Sequence, residues 1–170
     1  RMIDVGIGYL TLGRRTDTLS GGEVQRLKIV RHLGSSLSNI TYIFDEPTAG
    51  LHPADADRIA KLLLSLRDKH NTVLVVEHSR DIIRLADEII ELGPLAGVNG
   101  GQIVFQGGVE DLEKTDTLTA KAMRQKIKLN TTPKEWTESL HIEHAKLHNL
   151  KNVSIDIPMG VITAVCGVAG

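Results

Sequence analysis

Residues 40–55 read "ITYIFDEPTAGLHPAD". The first six are β-branched, aromatic or aliphatic and end on an acid, which predicts a buried strand over 40–45. Asp45 and Glu46 then stand as adjacent carboxylates at the C-terminal end of that strand, the edge where a parallel sheet binds its ligands. Strand alternation would send the two to different faces. One could hold Mg²⁺ through water while the other polarises an attacking water. Asp-Glu-Pro by itself reads equally well as a strand ending in a polar turn. Downstream, Pro53 suits the first turn of a helix, and Asp55 and Asp57 suit its positive end. Ile59, Leu62, Leu63 and Leu66 give that helix an apolar face.

The same alternation of strand and helix extends outward. "TVLVVE", residues 72–77, predicts a second buried strand, and Ser79 can cap a short helix running to about Ala86. "EIIEL", 88–92, predicts a third strand. Strand, helix, strand, helix, strand at this rhythm indicates an α/β fold with a parallel sheet. Past Gly93–Pro94 the pattern changes. "GQIVFQG", 101–107, reads as an antiparallel edge piece, and 109–126 as helix. Residues 127–139, with Thr131, Thr132 and Pro133, read as a linker. Residues 140–170 contain three further strand-like runs, "LHIEHAKL", "NVSIDIP" and "VITAVCG", and begin a second unit.

Two more stretches carry chemistry. In "LSGGE", 19–23, Gly21 and Gly22 precede a helix with Val24, Leu27, Val30 and Leu33 along one side. Glycines there let the backbone approach an anion, and the helix start supplies free N–H groups and positive potential. Ser20 adds a hydroxyl, and Glu23 completes the motif. In "VVEH", 75–78, His78 lies just beyond a buried strand, within reach of a phosphate at the sheet edge. Each alone is better explained by a loop before a helix or by a structural histidine. Their order decides: Leu19–Glu23, Asp45–Pro47 and His78 all fall at turns on one expected ligand edge.

Composition bounds the remainder. At 170 residues the chain is about one domain's worth. A net charge of −1 provides no global field toward nucleic acid or an anionic membrane, so any DNA contact is local. One Trp, two Tyr and two Phe are too few for a base-stacking platform. The single cysteine, Cys166, excludes an internal disulfide and is expected to pack in the sheet. No apolar run reaches the roughly 18 residues of a membrane span, and no secretory signal is visible. His141, His144 and His148 lack zinc-ligand spacing. Arg26, Lys28 and Arg31 read as a solvated helix face, with contact to DNA phosphates as the alternative.

The combined motifs resemble those of ABC-type ATPases: signature loop, Walker B strand and switch histidine. ABC transporters usually carry an Asp where this chain has His52. "GYLTLGRRTDTLSGGEVQRLK", "DEPTAGLHPAD", "LGPLAGVNGGQIVFQG" and "HNLKNVSIDIPMGVITAVCGVAG" are together similar to the UvrA family, DNA-binding ABC ATPases of bacterial nucleotide excision repair. The resemblance spans nearly the whole chain and implies two tandem ATPase domains. Residues 1–126 would be the last part of the first. Residues 140–170 would open the second and stop inside its Walker A loop, which begins at Gly167 and includes Gly170.

By this resemblance Glu46 and His78 are catalytic and Asp45 binds Mg²⁺. Ser20, Gly21, Gly22 and Glu23 bind a nucleotide together with Gly167 and Gly170 of the other domain. Gly50, Leu51 and His52 couple the sites. The implied cofactors are ATP and Mg²⁺, with zinc only in other segments of the parent. The implied partners are double-stranded DNA, a helicase-like repair subunit, the second ATPase domain and a second copy in a homodimer. The resemblance also implies a cytoplasmic location with no membrane partner. The alternatives are a shorter relative linked to resistance against DNA-binding antibiotics, or an ABC transporter subunit. Both phosphate-loop lysines lie outside the chain, so it is expected to be inactive alone. The strand that belongs between 72–77 and 88–92 is also expected to precede Arg1. "VITAVC", 161–166, has a sequence suited to that gap, and is expected to pair with both flanking strands, within the chain if it folds as a permutant or with those of a second copy as a domain swap.

Overall fold

The computed structural model describes residues 2–33 and 38–167. The chain forms two compact units, one running through Gln125 and the other covering Lys126–Cys166. In the first unit the order is α1 (Gly21–Leu33), β1 (Thr41–Asp45), α2 (Pro53–Arg67), β2 (Thr72–Val76), α3 (Arg80–Ile83), β3 (Ile89–Gly93), β4 (Gln102–Gly107), α4 (Val109–Leu112) and α5 (Leu118–Arg124). The second unit holds β5 (Ser139–Ala145) and β6 (Val153–Pro158). No described helix is long and apolar enough to cross a membrane.

Strands β1 and β2 are parallel and in register from Thr41↔Thr72 to Asp45↔Val76. Alternation gives them one face for the core: Tyr42 and Phe44 are buried, and Val73 and Val75 pack against the same cluster. Helix α2 contributes Ile59, Leu62, Leu63 and Leu66, the apolar stripe its sequence predicts. Each such side chain contributes about 1.5–3 kcal/mol on burial. The helix begins on His52, whose Nδ1 accepts from the Ala54 N–H at 3.2 Å, with Pro53 in the first turn. Past its C-cap Asp68, the side chain of Asn71 donates to the Leu66 carbonyl at 2.9 Å and accepts from the Ile40 N–H at 3.1 Å. One buried amide thus closes α2 and fixes the start of β1.

Several expectations need correction. Strand β3 does not extend the parallel sheet; it pairs antiparallel with β4, with a bulge at Glu91/Leu92. Among the described residues the parallel sheet is therefore two-stranded, and Ile43, Leu74 and Val76 are exposed on its other face. The expected helix over 109–126 breaks into α4 and α5. Thr117 restarts it as N-cap, its hydroxyl accepting from Ala120 N–H. Leu112, Ala120 and Met123 form a second small core with Ile83, Ile89, Phe105 and Val109.

Residues 161–166 form no strand, so the permutant pairing of "VITAVC" is absent from the chain, and Cys166 is exposed rather than packed in a sheet. β-branched composition favours a strand but supplies no neighbour to pair with. In the second unit β5 and β6 make an antiparallel pair, shifted in register between Ile142 and Ala145, and none of the unit's described residues is buried.

Candidate functional site

The ligand edge is built by the turns that follow β1 and β2. The ladder continues one residue beyond β1, with the Glu46 N–H bonded to the Val76 carbonyl at 2.8 Å. There the pleat stops. Glu46 has φ +43°, a left-handed conformation that is uncommon for a residue with a side chain and costs about 1–3 kcal/mol. Its direction is set by the turn, not by the alternation that would oppose it to Asp45. Thr48 accepts from Leu51 N–H at 3.1 Å and Gly50 sits at φ +68°, so the chain reverses within Pro47–Leu51. His78 Nε2 then lies 3.5 Å from Glu46 Oε1, both side chains being more than half exposed. Asp45, Glu46 and His78 are thereby gathered at one edge of the parallel pair.

The residue that joins these turns is Glu77, the acid that precedes His78. Its Oε1 accepts from both the N–H and the hydroxyl of Thr48, the former at 2.9 Å. Its Oε2 accepts from the N–H groups of His78 at 3.0 Å and Ser79 at 3.1 Å. Burial alone would push this carboxyl up, but the four donors outweigh it and hold Glu77 below the ordinary glutamate range. The sequence signals only an acid directly after an apolar run; the Thr48 turn is brought to it by the fold.

The "LSGGE" stretch folds into the start of α1. Ser20 and Glu23 form a reciprocal capping box. The Glu23 N–H bonds to Ser20 Oγ at 3.3 Å, and the Ser20 N–H bonds to Glu23 Oε2 at 2.6 Å. Tyr9 Oη donates to Glu23 Oε1 at 2.8 Å. Burial opposes ionisation of Glu23, yet these donors and Arg14 keep its carboxyl below its ordinary value. Glu23 is thus buried and committed to shaping the turn. Gly21 and Gly22 remain at the N-terminal end of α1, and a Cβ on Gly22 would lie 3.1 Å from Leu51 Cδ2. The glycine turn and the Gly50–His52 loop therefore pack against each other. Gly167 lies in irregular chain, and Gly170 lies outside the described residues.

Helical spacing places Arg26 on a solvated helix side or against DNA phosphates. It is instead fully buried, its Nη1 2.9 Å from Asp55 Oδ2 and its Nε donating to the Gly22 carbonyl at 3.2 Å. Gly6, at φ +76°, passes so close that a Cβ would approach Arg58 and Asp55 within 3 Å. Lys28 is exposed, and the side chain of Arg31 lies outside the described residues. His141 contacts Asp156 and Glu143 Oε1, the latter at 3.0 Å. Among the described residues no group of three or more His, Cys, Asp or Glu is arranged to hold a metal ion. Asp45 alone still suits Mg²⁺, which takes one or two carboxylates and completes its shell with waters and phosphate oxygens.

No family model matches the chain. It is 45% identical over 174 residues to the UvrABC system protein A of Pseudomonas putida, covering 99% of the chain and 18% of that protein. It is 46% identical over 175 residues to the UvrABC system protein A of Chlamydia pneumoniae, covering 99% of the chain and 9% of that protein. The crystal structure of UvrA2 from Deinococcus radiodurans superposes with a TM-score of 0.91 at 39% identity, over 99% of the chain and 21% of UvrA2. Archaeal aABCE1, solved with the ribosomal stalk protein aP1, shares the fold at a TM-score of 0.59 and 22% identity, over 85% of the chain and 30% of the solved one. The chain thus spans about a fifth or less of the UvrA proteins it matches, and its sequence and fold agree with them almost from end to end: it belongs to the UvrA family.

Proposed function

We propose that this chain is the signature-to-switch portion of an ATPase domain, followed by the opening strands of a second, in a DNA-binding repair protein. ATP hydrolysis would gate its grip on double-stranded DNA and its loading of a helicase-like partner. The observation that carries the reading is the Glu46–His78 pair across the ends of two parallel strands, clamped by Glu77. The name shared by the relatives, UvrABC system protein A, supports the repair assignment.

Mg²⁺, when bound, neutralises charge developing on the β- and γ-phosphates. Asp45 would hold it, through water or directly. Glu46 orients a water and accepts its proton as the oxygen attacks the γ-phosphorus. The bond from that phosphorus to the bridging oxygen breaks, leaving ADP and phosphate. His78 donates to a γ-phosphate oxygen and so reports its presence. Ser20, Gly21 and Gly22 would clamp the nucleotide held by the other domain, beside the phosphate loop that opens at Gly167 and Gly170. Gly50, Leu51 and His52 would relay between the two sites. A homodimer, a cytoplasmic setting and zinc modules elsewhere in the protein complete the proposal.

The deciding variant is Glu46→Gln in the protein at full family length. It keeps the side chain's size and removes the base. Single-turnover hydrolysis should fall by about 10²–10⁴-fold while ATP affinity stays near wild type. An unchanged hydrolysis rate at this site would overturn the assignment.

A further inference from the structure

We infer that Gln25 is a positioning residue that ties the Ser20–Gly22 turn to the catalytic carboxylate Glu46 of the same domain. The inference rests on the ATPase reading above. Gln25 lies one helical turn beyond the glycines, and its Nε2 donates to the Glu46 carbonyl at 2.9 Å and to the Asp45 carbonyl at 3.3 Å. Two carbonyl oxygens face it, so only the NH₂ end of the amide fits there; the oxygen end would set lone pair against lone pair.

The contact acts on a residue sensitive to it. Glu46 holds a left-handed backbone at φ +43°, away from the broad energy minima. Its N–H is fixed by Val76, and its carbonyl also accepts from Ala49 N–H at 3.1 Å. Gln25 adds a bond to that carbonyl that comes from α1, outside the turn itself. Because the Ala49 bond stays, losing Gln25 leaves no buried group unpaired. The turn survives, but Glu46 is less firmly aimed.

The helix that carries Gln25 can transmit a displacement. It is pinned through buried Arg26 to Asp55 at the start of α2, and Arg26 also holds the Gly22 carbonyl. Gly22 rests against Leu51. A phosphate engaged at the start of α1 therefore moves, or fixes, a rigid piece that includes the Gln25 amide. In the proposed assignment that phosphate belongs to one nucleotide and Glu46 acts on another. Gln25 is then a physical link between the two sites, through a two-bond contact rather than a chain of inferred intermediates.

The test uses the protein at full family length, with ATP affinity and single-turnover hydrolysis at the Glu46 site measured separately. Gln25→Met keeps the length and helix propensity and removes the donor; Gln25→Glu replaces it with an acceptor. Loss of a hydrogen bond of ordinary strength corresponds to roughly 2–10-fold. Both variants should slow hydrolysis by about that factor or more, with Gln25→Glu the slower, while ATP affinity stays within about twofold. Gln25→Lys, whose ammonium can donate to both carbonyls, should recover part of the rate. Combining Gln25→Met with Ser20→Ala should cost less than the sum of the two, because the second change acts through the first. Wild-type hydrolysis in both Gln25→Met and Gln25→Glu would overturn the inference. So would a fall in affinity matching the fall in rate, or strict additivity with Ser20→Ala. Glu46→Gln serves as the control. If it abolishes hydrolysis while the Gln25 variants do not slow it, only this inference fails. If it has no effect, the ATPase assignment fails first.

Discussion

The β1–β2 pair and the β5–β6 pair are both two-stranded, but they are held by different means. In the first, alternate residues enter a core: Tyr42 and Phe44 are buried against Ile59, Leu62, Leu63 and Leu66. In the second, no described residue is buried, and Ile155 and Leu140 are about half exposed. The first is also clamped by side chains from outside the strands, Asn71 at its start and Glu77 at its end. The second relies on its backbone ladder and on exposed polar pairs such as His141 with Asp156 and His144 with Asn152. A slip of one residue in β1 would turn Tyr42 and Phe44 to solvent, whereas a slip in β5 would cost little burial. The register shift at Ile142/Ala145 falls in the pair that has no core to forbid it. A two-stranded sheet without a packed face is marginal in isolation, so the chemistry sits on the pair that is fixed.

That contrast can be broken most sharply in the core. Leu66→Ala should destabilise the protein by about 2–5 kcal/mol, because Leu66 is 1% exposed and its neighbours cannot close the gap. Ile155→Ala, at 47% exposure, should stay within about 0.5 kcal/mol. Urea unfolding of the two variants measures both, and equal losses would dissolve the distinction. A smaller effect is expected at the clamp. Glu77→Gln must turn an NH₂ group toward either Thr48 or the His78 and Ser79 N–H groups, leaving donors facing donors, at about 1–3 kcal/mol. Because the folded carboxyl of Glu77 titrates below its ordinary value, its contribution is present above the usual glutamate range and lost as pH falls through the lowered pKa. Amide protection factors at Thr48 and His78, which correct for the intrinsic pH dependence of exchange, should therefore fall on acidification in wild type and already be low in the variant.

The smallest effect is expected in the hairpin. Hydrogen bonds to Asp156 first, then to Glu143, raise the pKa of His141. Its pairing is complete below the ordinary histidine pKa of about 6.5 and is lost as pH rises through the raised folded value. An NMR titration should show this shift, and Asp156→Asn should reduce it with little change in overall stability.

The core of the first unit was legible because its signals are local. The apolar stripe of α2, the strand runs at 40–45 and 72–77, and Pro53 in the first turn of the helix need only neighbours in sequence. The gathering of Asp45, Glu46 and His78 at one edge also follows from strand ends alone. Arg26 was not legible. Helical spacing puts it among charged residues, and only Asp55, brought alongside by the packing of α2, makes its burial tolerable. Glu77 was hidden in the same way: its four donors come from two turns that sequence alone does not bring together.

The order of the chemistry-bearing turns and the apolar face of α2 follow from primary structure, because both depend on periodicity and on residue types within a few positions. The tertiary structure alone decided that β3 turns away to pair with β4, that "VITAVC" forms no strand, and that Glu46 leaves the pleat at φ +43°. Each of these depends on which backbone groups find a partner. A strand propensity is a preference of single residues, whereas a ladder needs a second strand at about 4.8 Å spacing.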